Sequence, residues 1–224
     1  MMNRVTSVTT PDQGTITNWY YPATDWIYRT RNTSTGEDVD YVHDAFGRIV
    51  QKTVSGQQVV NYTYDETIYA NAIGRLTSVT VTPVGASTPS SRDYFAYSRD
   101  GKIAAQHRFI DGNYYGLASN YDPQGRLIIS TLPNGEQIQR TYNAQGLLSA
   151  ITSGGTNYVD FQGYAASGQP TSMKYGNDTF TTMTYDAATR LASSKVTKAN
   201  NPNLLDYTYA WDRLHRISSI TDLR

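Results

Sequence analysis

The sequence lacks cysteine, and it lacks any long apolar segment. Without cysteine there is no disulfide framework, no thiolate zinc site and no thiol nucleophile. No run approaches the roughly 18 apolar residues of a membrane-spanning helix, and the first residues lack the apolar stretch of a signal peptide. Net charge is absent too, because 19 Lys and Arg balance 19 Asp and Glu. A nucleic-acid partner is therefore not expected, since it requires clustered positive charge.

The sequence is rich in one aromatic residue type. It contains 19 tyrosines but only five phenylalanines and three tryptophans, in a chain of 224 residues that is 38% hydrophobic. Tyrosine joins a large apolar ring to a hydroxyl that can reach water or a carbonyl oxygen. A row of such rings can therefore replace part of a conventional core.

Many of these tyrosines recur with a regular spacing. The clearest unit is Tyr-Asp-Pro-Gln-Gly-Arg-Leu at residues 121–127, and related units begin at Tyr142 and Tyr185. Aromatic or histidine anchors fall at residues 21, 43, 64, 97, 121, 142, 164, 185 and 211, and five of the eight intervals are 21 or 22 residues. Such a period is typical of a repeat architecture. We therefore predict a single array over residues 1–224, with about nine repeats.

The repeat motif assigns a structural role to one set of residues. A complete unit has an aromatic anchor, an Asp or Asn one residue later, a Gly four residues after the anchor and an Arg after the Gly, and degraded copies keep only some of these residues. The set comprises Tyr21, His43, Asp44, Gly47, Arg48, Tyr64, Asp65, Gly74, Arg75, Tyr97, Gly101, Tyr121, Asp122, Gly125, Arg126, Tyr142, Asn143, Gly146, Tyr164, Gly168, Tyr185, Asp186, Arg190, Trp211, Asp212 and Arg216.

Each repeat is expected to be a β-hairpin. Asp122, Pro123 and Gly125 occupy the positions that a type I turn favours, and the Asp side chain can close the turn by accepting a backbone N–H. Period-two alternation precedes this turn, and a second turn such as Asp111-Gly112 or Asn134-Gly135 lies midway to the next anchor. The fold class is therefore all-β, with hairpins of about 21 residues paired in sequence order into one long, curved antiparallel sheet.

The unit Tyr-Asp-x-x-Gly-Arg-Leu resembles the YD repeat of the Rhs family. Its relatives include bacterial Rhs proteins, the C-component of insecticidal toxin complexes and the extracellular part of teneurins. The resemblance covers residues 4–221. It implies a β-shell that encloses a C-terminal toxin polypeptide before delivery, in a secreted or cell-surface bacterial protein. Because a closed shell needs many more repeats, the chain is expected to be a non-catalytic wall segment of a longer protein.

Catalytic and metal-binding patterns are not found. His43, His107 and His215 are widely separated, and the aspartates that resemble a carboxylate cluster recur at one turn position. Turn closure explains them better than acid–base catalysis or metal binding. No cofactor is expected, and an enzyme is the weakest of the three functional hypotheses.

A binding module is the alternative hypothesis. Trp19, Trp26 and Tyr28 belong to the densest aromatic cluster, and exposed rings there could contact a glycan or a protein partner. We favour packing against a neighbouring repeat for these rings.

The two ends of the chain are in the same phase of the repeat. Residues 4–9 match residues 216–221 almost position by position. Edge strands of a sheet invite pairing with other strands. The expected partners are therefore neighbouring repeats of a parent protein, or another copy of the chain.

Overall fold

The structure is a computed structural model that describes residues 4–224, and these residues form strands and turns. The prediction made for the first residues of the chain falls partly on residues 1–3, which lie outside the described residues. Within residues 4–224, no helix is long and apolar enough to cross a membrane. The described residues divide into two compact units, one up to residue 118 and one from residue 119.

Nineteen strands account for most of the described residues. They are β1 (Ser7–Thr10), β2 (Gly14–Tyr20), β3 (Ile27–Asn32), β4 (Asp38–His43), β5 (Ile49–Val54), β6 (Gln58–Tyr64), β7 (Leu76–Pro83), β8 (Ser91–Tyr97), β9 (Ile103–Ile110), β10 (Asn113–Tyr121), β11 (Leu127–Thr131), β12 (Gln137–Tyr142), β13 (Leu148–Ser153), β14 (Thr156–Tyr164), β15 (Pro170–Tyr175), β16 (Thr179–Tyr185), β17 (Leu191–Lys198), β18 (Asn201–Trp211) and β19 (Ile217–Asp222).

Strands that follow one another in the sequence pair antiparallel in both units. In the first unit this holds for each step from β1 to β10. In the second unit it holds for each step from β11 to β19. The all-β prediction of tandem hairpins paired in sequence order is thus confirmed. The assignment of residues 1–224 to a single array stays a prediction.

The turns midway between anchors are tight hairpin turns. Asp111 and Gly112 have φ angles of 49° and 79°, and Gly154 and Gly155 have φ angles of 55° and 79°. Two consecutive residues with positive φ define a type I′ turn, whose twist matches that of the flanking strands. The predicted Asp-Gly turn therefore has the conformation that its sequence favours.

A β-bulge precedes the ring that ends the first strand of most repeats. The register shifts between Val42 and His43, between Thr63 and Tyr64, and at the equivalent steps before Tyr97, Tyr142, Tyr185 and Trp211. A bulge leaves one residue unpaired and turns the next side chain. The side chain of the terminal ring therefore does not follow the alternating orientation of the side chains before it in the strand.

The described residues contain few fully buried apolar side chains. The buried apolar residues are Val54, Val60, Ala72 and Val159, with 2–9% exposure. The rings that end the first strands, by contrast, are half-buried. Stability must therefore come largely from half-buried rings, cross-strand pairs and the turns.

Cross-strand ion pairs add to the sheet. Arg29 lies opposite Asp40, and Asp93 lies opposite Arg108. Each pair is bidentate, with N–O distances of 2.5 and 2.9 Å in the first and 2.7 and 3.0 Å in the second. Opposite charges that face each other across strands stabilise the register of the pair by about 0.2–1 kcal/mol.

Candidate functional site

The turn after the ring is closed by an aspartate side chain. Asp122 Oδ1 accepts the backbone N–H groups of Gln124 at 3.0 Å and Arg126 at 2.8 Å. The N–H of Gly125 donates to the carbonyl oxygen of Asp122 at 2.8 Å, and Gly125 has a φ of 77°. A positive φ at this position is accessible to glycine at little cost. The predicted closure of the turn by the Asp side chain is therefore seen directly.

The second carboxylate oxygen binds the arginine of the same repeat. Arg126 Nε donates to Asp122 Oδ2 at 2.6 Å. The same arrangement recurs in three further repeats, at 2.7–2.8 Å, for Asp44 with Arg48, Asp186 with Arg190, and Asp212 with Arg216. In the repeat with asparagine, Asn143 Oδ1 accepts the same two backbone bonds, from the N–H groups of Gln145 at 3.0 Å and Leu147 at 2.9 Å. The backbone bonds are thus the constant part of the turn, and the ion pair is an addition to it.

These contacts lower the pKa of the turn aspartates. In Asp186 the side chain and backbone of Arg190 donate hydrogen bonds to the carboxylate, and in Asp212 the backbone and side chain of Arg216 do so. In Asp44 and Asp122 partial burial raises the pKa, but the bonds from Arg48 and Arg126 outweigh it, and the pKa is lowered overall. The folded state therefore favours the ionised carboxylates.

The lowered pKa values predict a loss of stability in acid. A group whose pKa is lower in the folded state stabilises the fold above its unfolded pKa, about 3.9 for Asp, and this contribution disappears as pH falls through the folded pKa. We expect the melting temperature to be level from pH 7 to about pH 5 and to fall below about pH 4. Thermal unfolding followed by circular dichroism at a series of pH values measures this.

A variant with asparagine at residues 44, 122, 186 and 212 is the matched control, because Asn143 already shows that asparagine closes the turn. It should melt at a lower temperature at pH 7, where the ion pairs are missing, and its melting temperature should depend less on pH. Two parallel pH profiles would show that these four carboxylates do not cause the acid sensitivity.

The ring at the end of a first strand contacts the residues that follow the turn of the preceding repeat. Tyr142 donates its hydroxyl proton to the carbonyl oxygen of Leu127 at 2.9 Å. The guanidinium carbon of Arg126 lies 4.5 Å from the centroid of the same ring. Cation–π contacts of this kind contribute about 0.5–2 kcal/mol, depending on their exposure. We call this combined contact of ring, cation and carbonyl the repeat joint.

The hydroxyl-to-carbonyl bond recurs along the chain. In each case the acceptor is the first residue after the arginine position of the preceding repeat. The hydroxyl of Tyr20 donates to the carbonyl oxygen of Val5, and in the same way Tyr64 donates to Ile49, Tyr97 to Leu76, Tyr164 to Leu148 and Tyr185 to Pro170. Trp211 donates its indole N–H to the carbonyl oxygen of Leu191. Burial raises the pKa of the hydroxyls of Tyr64, Tyr97 and Tyr164, which keeps them protonated as donors.

The cation over the ring also recurs. Arg4 lies over Tyr20, Arg48 over Tyr64, Arg75 over Tyr97 and Arg190 over Trp211, at 4.4–5.7 Å from the ring centroids. Arg48 additionally reaches Asp65 of the next repeat, with Nη2 at 2.8 Å from Oδ2. Arg48 therefore pairs both with the Asp of its own repeat and with the Asp of the next repeat.

Glycine in the turn has a second role, which the sequence did not suggest. A Cβ added to Gly47 would lie 2.6 Å from the Trp26 ring, and one added to Gly101 would lie 2.8 Å from Arg75 Nη2. At Gly146 the nearest atom would be Arg126 Nη1 at 3.3 Å. In each case the crowded group belongs to the preceding repeat. Because this glycine has no side chain, the arginine or tryptophan side chain of the preceding repeat packs in the space beside it.

The anchor of the first repeat is Tyr20, and its assignment to Tyr21 was wrong by one residue. Tyr20 ends β2, follows the β-bulge and bonds to Val5. The backbone N–H of Tyr21 instead bonds to the carbonyl oxygen of Trp26 at 2.9 Å, as the turn aspartates do with their arginines. Tyr21 thus occupies the Asp position, and this turn is one residue longer than that of Asp122.

Trp26 takes the place of arginine in this repeat. Its ring stacks on His43 with centroids 5.7 Å apart and an interplanar angle of 22°, and it fills the space beside Gly47. Tyr21 contacts both Tyr28 and His43, at 5.4 and 5.9 Å. Trp19 lies on β2 opposite Arg29. The rings considered for glycan or partner contact are therefore not one free platform, because the Trp26 ring packs on His43 and beside Gly47.

The insertion after Asp65 packs on the neighbouring strands. Glu66 accepts hydrogen bonds from the hydroxyls of Thr77 at 2.6 Å and Ser78 at 3.1 Å. Thr77 is fully buried, and Ala72 in the insertion is 2% exposed. Gly74 donates its N–H to Asp65 Oδ1 at 2.6 Å, so the turn is still closed by the Asp despite its longer loop.

The remaining sequence-predicted candidates for chemistry are dispersed. His43 stacks on Trp26, His107 stacks on Tyr114 with centroids 5.4 Å apart, and His215 occupies the glycine position of its turn with a φ of 61°. Within residues 4–224, no group of three or more His, Cys, Asp or Glu residues could hold a metal ion. The residues of the turns and joints thus hold adjacent repeats together.

A family model of a known repeat matches part of the chain. The model of the RHS repeat matches residues 121–157, which include the joint of Tyr142 with Arg126. No curated protein matches the chain significantly. The chain thus resembles Rhs and YD-repeat proteins in its repeat.

Solved structures share the fold over most of the chain. The Tc holotoxin pore of Photorhabdus luminescens is 18% identical with a TM-score of 0.61, over 93% of this chain and 12% of that chain. Crystal structures of TcdB2-TccC3, and of TcdB2-TccC3 without its hypervariable C-terminal region, are also 18% identical, with TM-scores of 0.59 and 0.58 over 88% of this chain and 12% of theirs. The chain therefore spans only a small part of the structures that it matches.

Proposed function

We propose that the chain is a non-catalytic wall segment of an Rhs-type shell, and that the full-length shell encloses a C-terminal toxin and helps to deliver it. The observation that carries this proposal is the repeat joint. It links neighbouring repeats through a ring and a carbonyl oxygen, with an arginine over the ring in several of them, and so it can extend a sheet without a conventional core. Repeat proteins gain their stability from such neighbour contacts.

The size of the similar structures supports assigning enclosure to a longer protein. The chain covers 12% of each of the three compared structures, and one of them is named for the absence of a hypervariable C-terminal region. In this proposal the enclosed polypeptide and the neighbouring repeats are the partners of the chain. The parent protein would be a secreted or cell-surface bacterial protein.

A structural role also accounts for the polar residues of the motif. The turn aspartates have backbone and arginine partners, and the joint hydroxyls donate to carbonyl oxygens. A catalytic acid or base needs a position within reach of a substrate. The motif residues instead use their polar groups to hold the turn and the adjacent repeat, which favours a non-catalytic segment.

Protease protection tests this proposal in the longer protein that carries the chain. We expect a C-terminal tail with an engineered protease site to resist cleavage in the intact protein, because the wall excludes the protease. Replacing both Tyr64 and Tyr142 by alanine should open the wall and make cleavage at least about tenfold faster, since each joint contributes a few kcal/mol.

Tyr115 provides the matched control, because it is 46% exposed on β10 and lies opposite Arg108. Tyr115→Ala should leave the tail protected. Cleavage of the intact protein at the rate of the isolated tail, or a parent protein with no C-terminal tail, would contradict enclosure.

A further inference from the structure

A small aromatic cavity lies beside the turn between β2 and β3, in the first unit. Its volume is about 320 Å³, and it is lined by Tyr21, Pro22, Thr24, Trp26 and His43. Cavities of this size fall at the lower end of the range for small-molecule sites. A ligand of this cavity would therefore be small, and many of its contacts would be with aromatic rings.

The rings that line the cavity have two orientations. The Trp26 ring is nearly parallel to the His43 ring, with an interplanar angle of 22° and centroids 5.7 Å apart. The Tyr21 ring stands at 89° to the His43 ring, with centroids 5.9 Å apart. Rings in two perpendicular orientations can enclose a small group from more than one side, which a flat platform cannot do.

The chain itself holds these rings in place. The hydroxyl of Tyr21 donates to the carbonyl oxygen of Tyr41 at 3.3 Å, and the backbone N–H of Tyr21 bonds to the carbonyl oxygen of Trp26 at 2.9 Å. The Trp26 ring fills the space beside Gly47, where an added Cβ would lie 2.6 Å from it. Because the rings are already ordered, a ligand loses little affinity to the ordering of its site.

The polar groups of the lining residues already have partners within the chain. The hydroxyl of Thr24 donates to the carbonyl oxygen of Tyr21 at 3.4 Å and accepts the N–H of Trp26 at 3.1 Å. Nδ1 of His43 is buried. A sugar needs several hydrogen-bond partners, and the cavity offers few. It is better suited to a group whose surface has no hydrogen-bond donor or acceptor.

The cavity also lacks the cation that other repeats place over their rings. Arg48 lies over Tyr64, Arg126 over Tyr142 and Arg190 over Trp211. Trp26 takes the place of this arginine, and within residues 4–224 no lysine or arginine side chain lies over the ring of Tyr21 or Trp26. The face of an aromatic ring is electronegative and attracts cations. These ring faces are therefore available to a cation from outside the chain.

We propose that this cavity is a binding site for a quaternary ammonium group, such as the trimethylammonium group of a choline derivative. Such a group spreads its positive charge over its methyl groups, forms no N–H hydrogen bond and packs against ring faces. No lysine or arginine lines the cavity to repel it. The proposal uses Tyr21 and Trp26 but not Trp19, and it does not depend on toxin enclosure.

A choline titration of the ¹⁵N-labelled chain, followed by NMR, tests the site. The indole N–H signal of Trp26 and the backbone N–H signals of residues 21–26 should shift saturably, with a dissociation constant of about 1 mM or lower. The indole signal of Trp211 should not move. The neutral compound 3,3-dimethylbutanol has the shape of choline, with carbon in place of the charged nitrogen. It should bind at least about tenfold more weakly, because it has no cation–π attraction.

Three protein variants locate the binding. Tyr21→Leu removes one wall of the cavity and should weaken choline binding about tenfold. Tyr21→Phe keeps the ring and loses only the bond to Tyr41, so its affinity should stay within about twofold of the wild type. Trp19→Leu is the matched control, because Trp19 lies on the adjacent strand but does not line the cavity, and affinity should be unchanged. Cooperative thermal unfolding checks that each variant is folded.

Three results would overturn the proposal. One is no saturable shift of the signals of residues 21–26 up to about 20 mM choline, which corresponds to negligible affinity. Another is equal affinity of the wild-type chain for choline and 3,3-dimethylbutanol, a comparison that does not depend on the folding of any variant. The third is unchanged binding by a folded Tyr21→Leu chain. None of them bears on the shell proposal, which protease protection tests separately.

Discussion

Tyr142→Ala is expected to lower the free energy of unfolding by about 3 kcal/mol, although Tyr142 is only half-buried. Large-to-small replacements of aromatic residues cost about 3–5 kcal/mol in a full core, and a half-buried ring contributes less. Here the loss also includes the cation–π contact with Arg126 and the hydrogen bond to Leu127, about 1 kcal/mol each. Urea unfolding followed by circular dichroism gives the value.

Two companion variants separate the contributions to this effect. Tyr142→Phe removes only the hydroxyl and should cost about 1 kcal/mol. Tyr115→Ala removes a ring of the same type that is 46% exposed and should change stability by no more than about 0.5 kcal/mol. If Tyr142→Ala and Tyr115→Ala cost the same, the joint does not stabilise the sheet.

Gly47→Ala is expected to destabilise the chain by about 3 kcal/mol through two effects. The first is backbone strain, because Gly47 has a φ of 80°, and an L-residue there costs about 1–2 kcal/mol. The second is steric, because the new Cβ would lie 2.6 Å from the Trp26 ring. Displacing a packed ring adds about 1–3 kcal/mol. Denaturant unfolding of the variant and the wild type measures the difference.

Gly74→Ala is the control for the backbone effect alone. Gly74 occupies the same repeat position with a φ of 79°, and a Cβ there would meet nothing within 4 Å. It should cost only the strain, about 1–2 kcal/mol. An equal loss in both variants would mean that Trp26 moves aside freely and that the glycine is required for its conformation only.

The period and the turn could be predicted from sequence because both rest on local chemistry. The residues from Asp122 to Gly125 specify their turn through their own side chains and backbone preferences, with no help from distant residues. The same holds for the two-residue turn of Asp111 and Gly112. These elements lie where the pattern placed them.

The first anchor could not be placed by pattern alone. Tyr20 and Tyr21 are adjacent, and the turn that follows has one residue more than that of Asp122. Only the register of β2 with β3 separates them, because the β-bulge lies between Trp19 and Tyr20. Because the two tyrosines are adjacent, the sequence alone does not show which of their rings follows the bulge.

The contacts between repeats were also beyond the sequence pattern. The bond from the Tyr142 hydroxyl to Leu127 spans 15 residues, and the space beside Gly146 belongs to Arg126 of the preceding repeat. A motif read within one repeat cannot show contacts with the next. Outside the repeat with the insertion, the carbonyl acceptor lies six residues after the preceding ring. This offset was the available signal, but it acquires meaning only once the pairing is known.

The joint accepts several side chains at the arginine position. Trp26 stacks on His43 where Arg48 covers Tyr64, and Leu147 lies 3.9 Å from the position of a Cβ on Gly168. These side chains share a flat or apolar body that can lie against a ring and a glycine. The joint therefore depends on shape first, and charge strengthens it where arginine is present.

The pairing of each strand with its sequence neighbours has a mechanical consequence. Tension applied along the chain loads the hydrogen bonds of an antiparallel hairpin one after another, as in the opening of a zipper, and each joint holds only the adjacent repeat. The polypeptide would thus unravel in steps of one repeat. A repeat of about 21 residues releases about 70 Å of extended chain per step, so a modest force opens the sheet progressively, one repeat at a time.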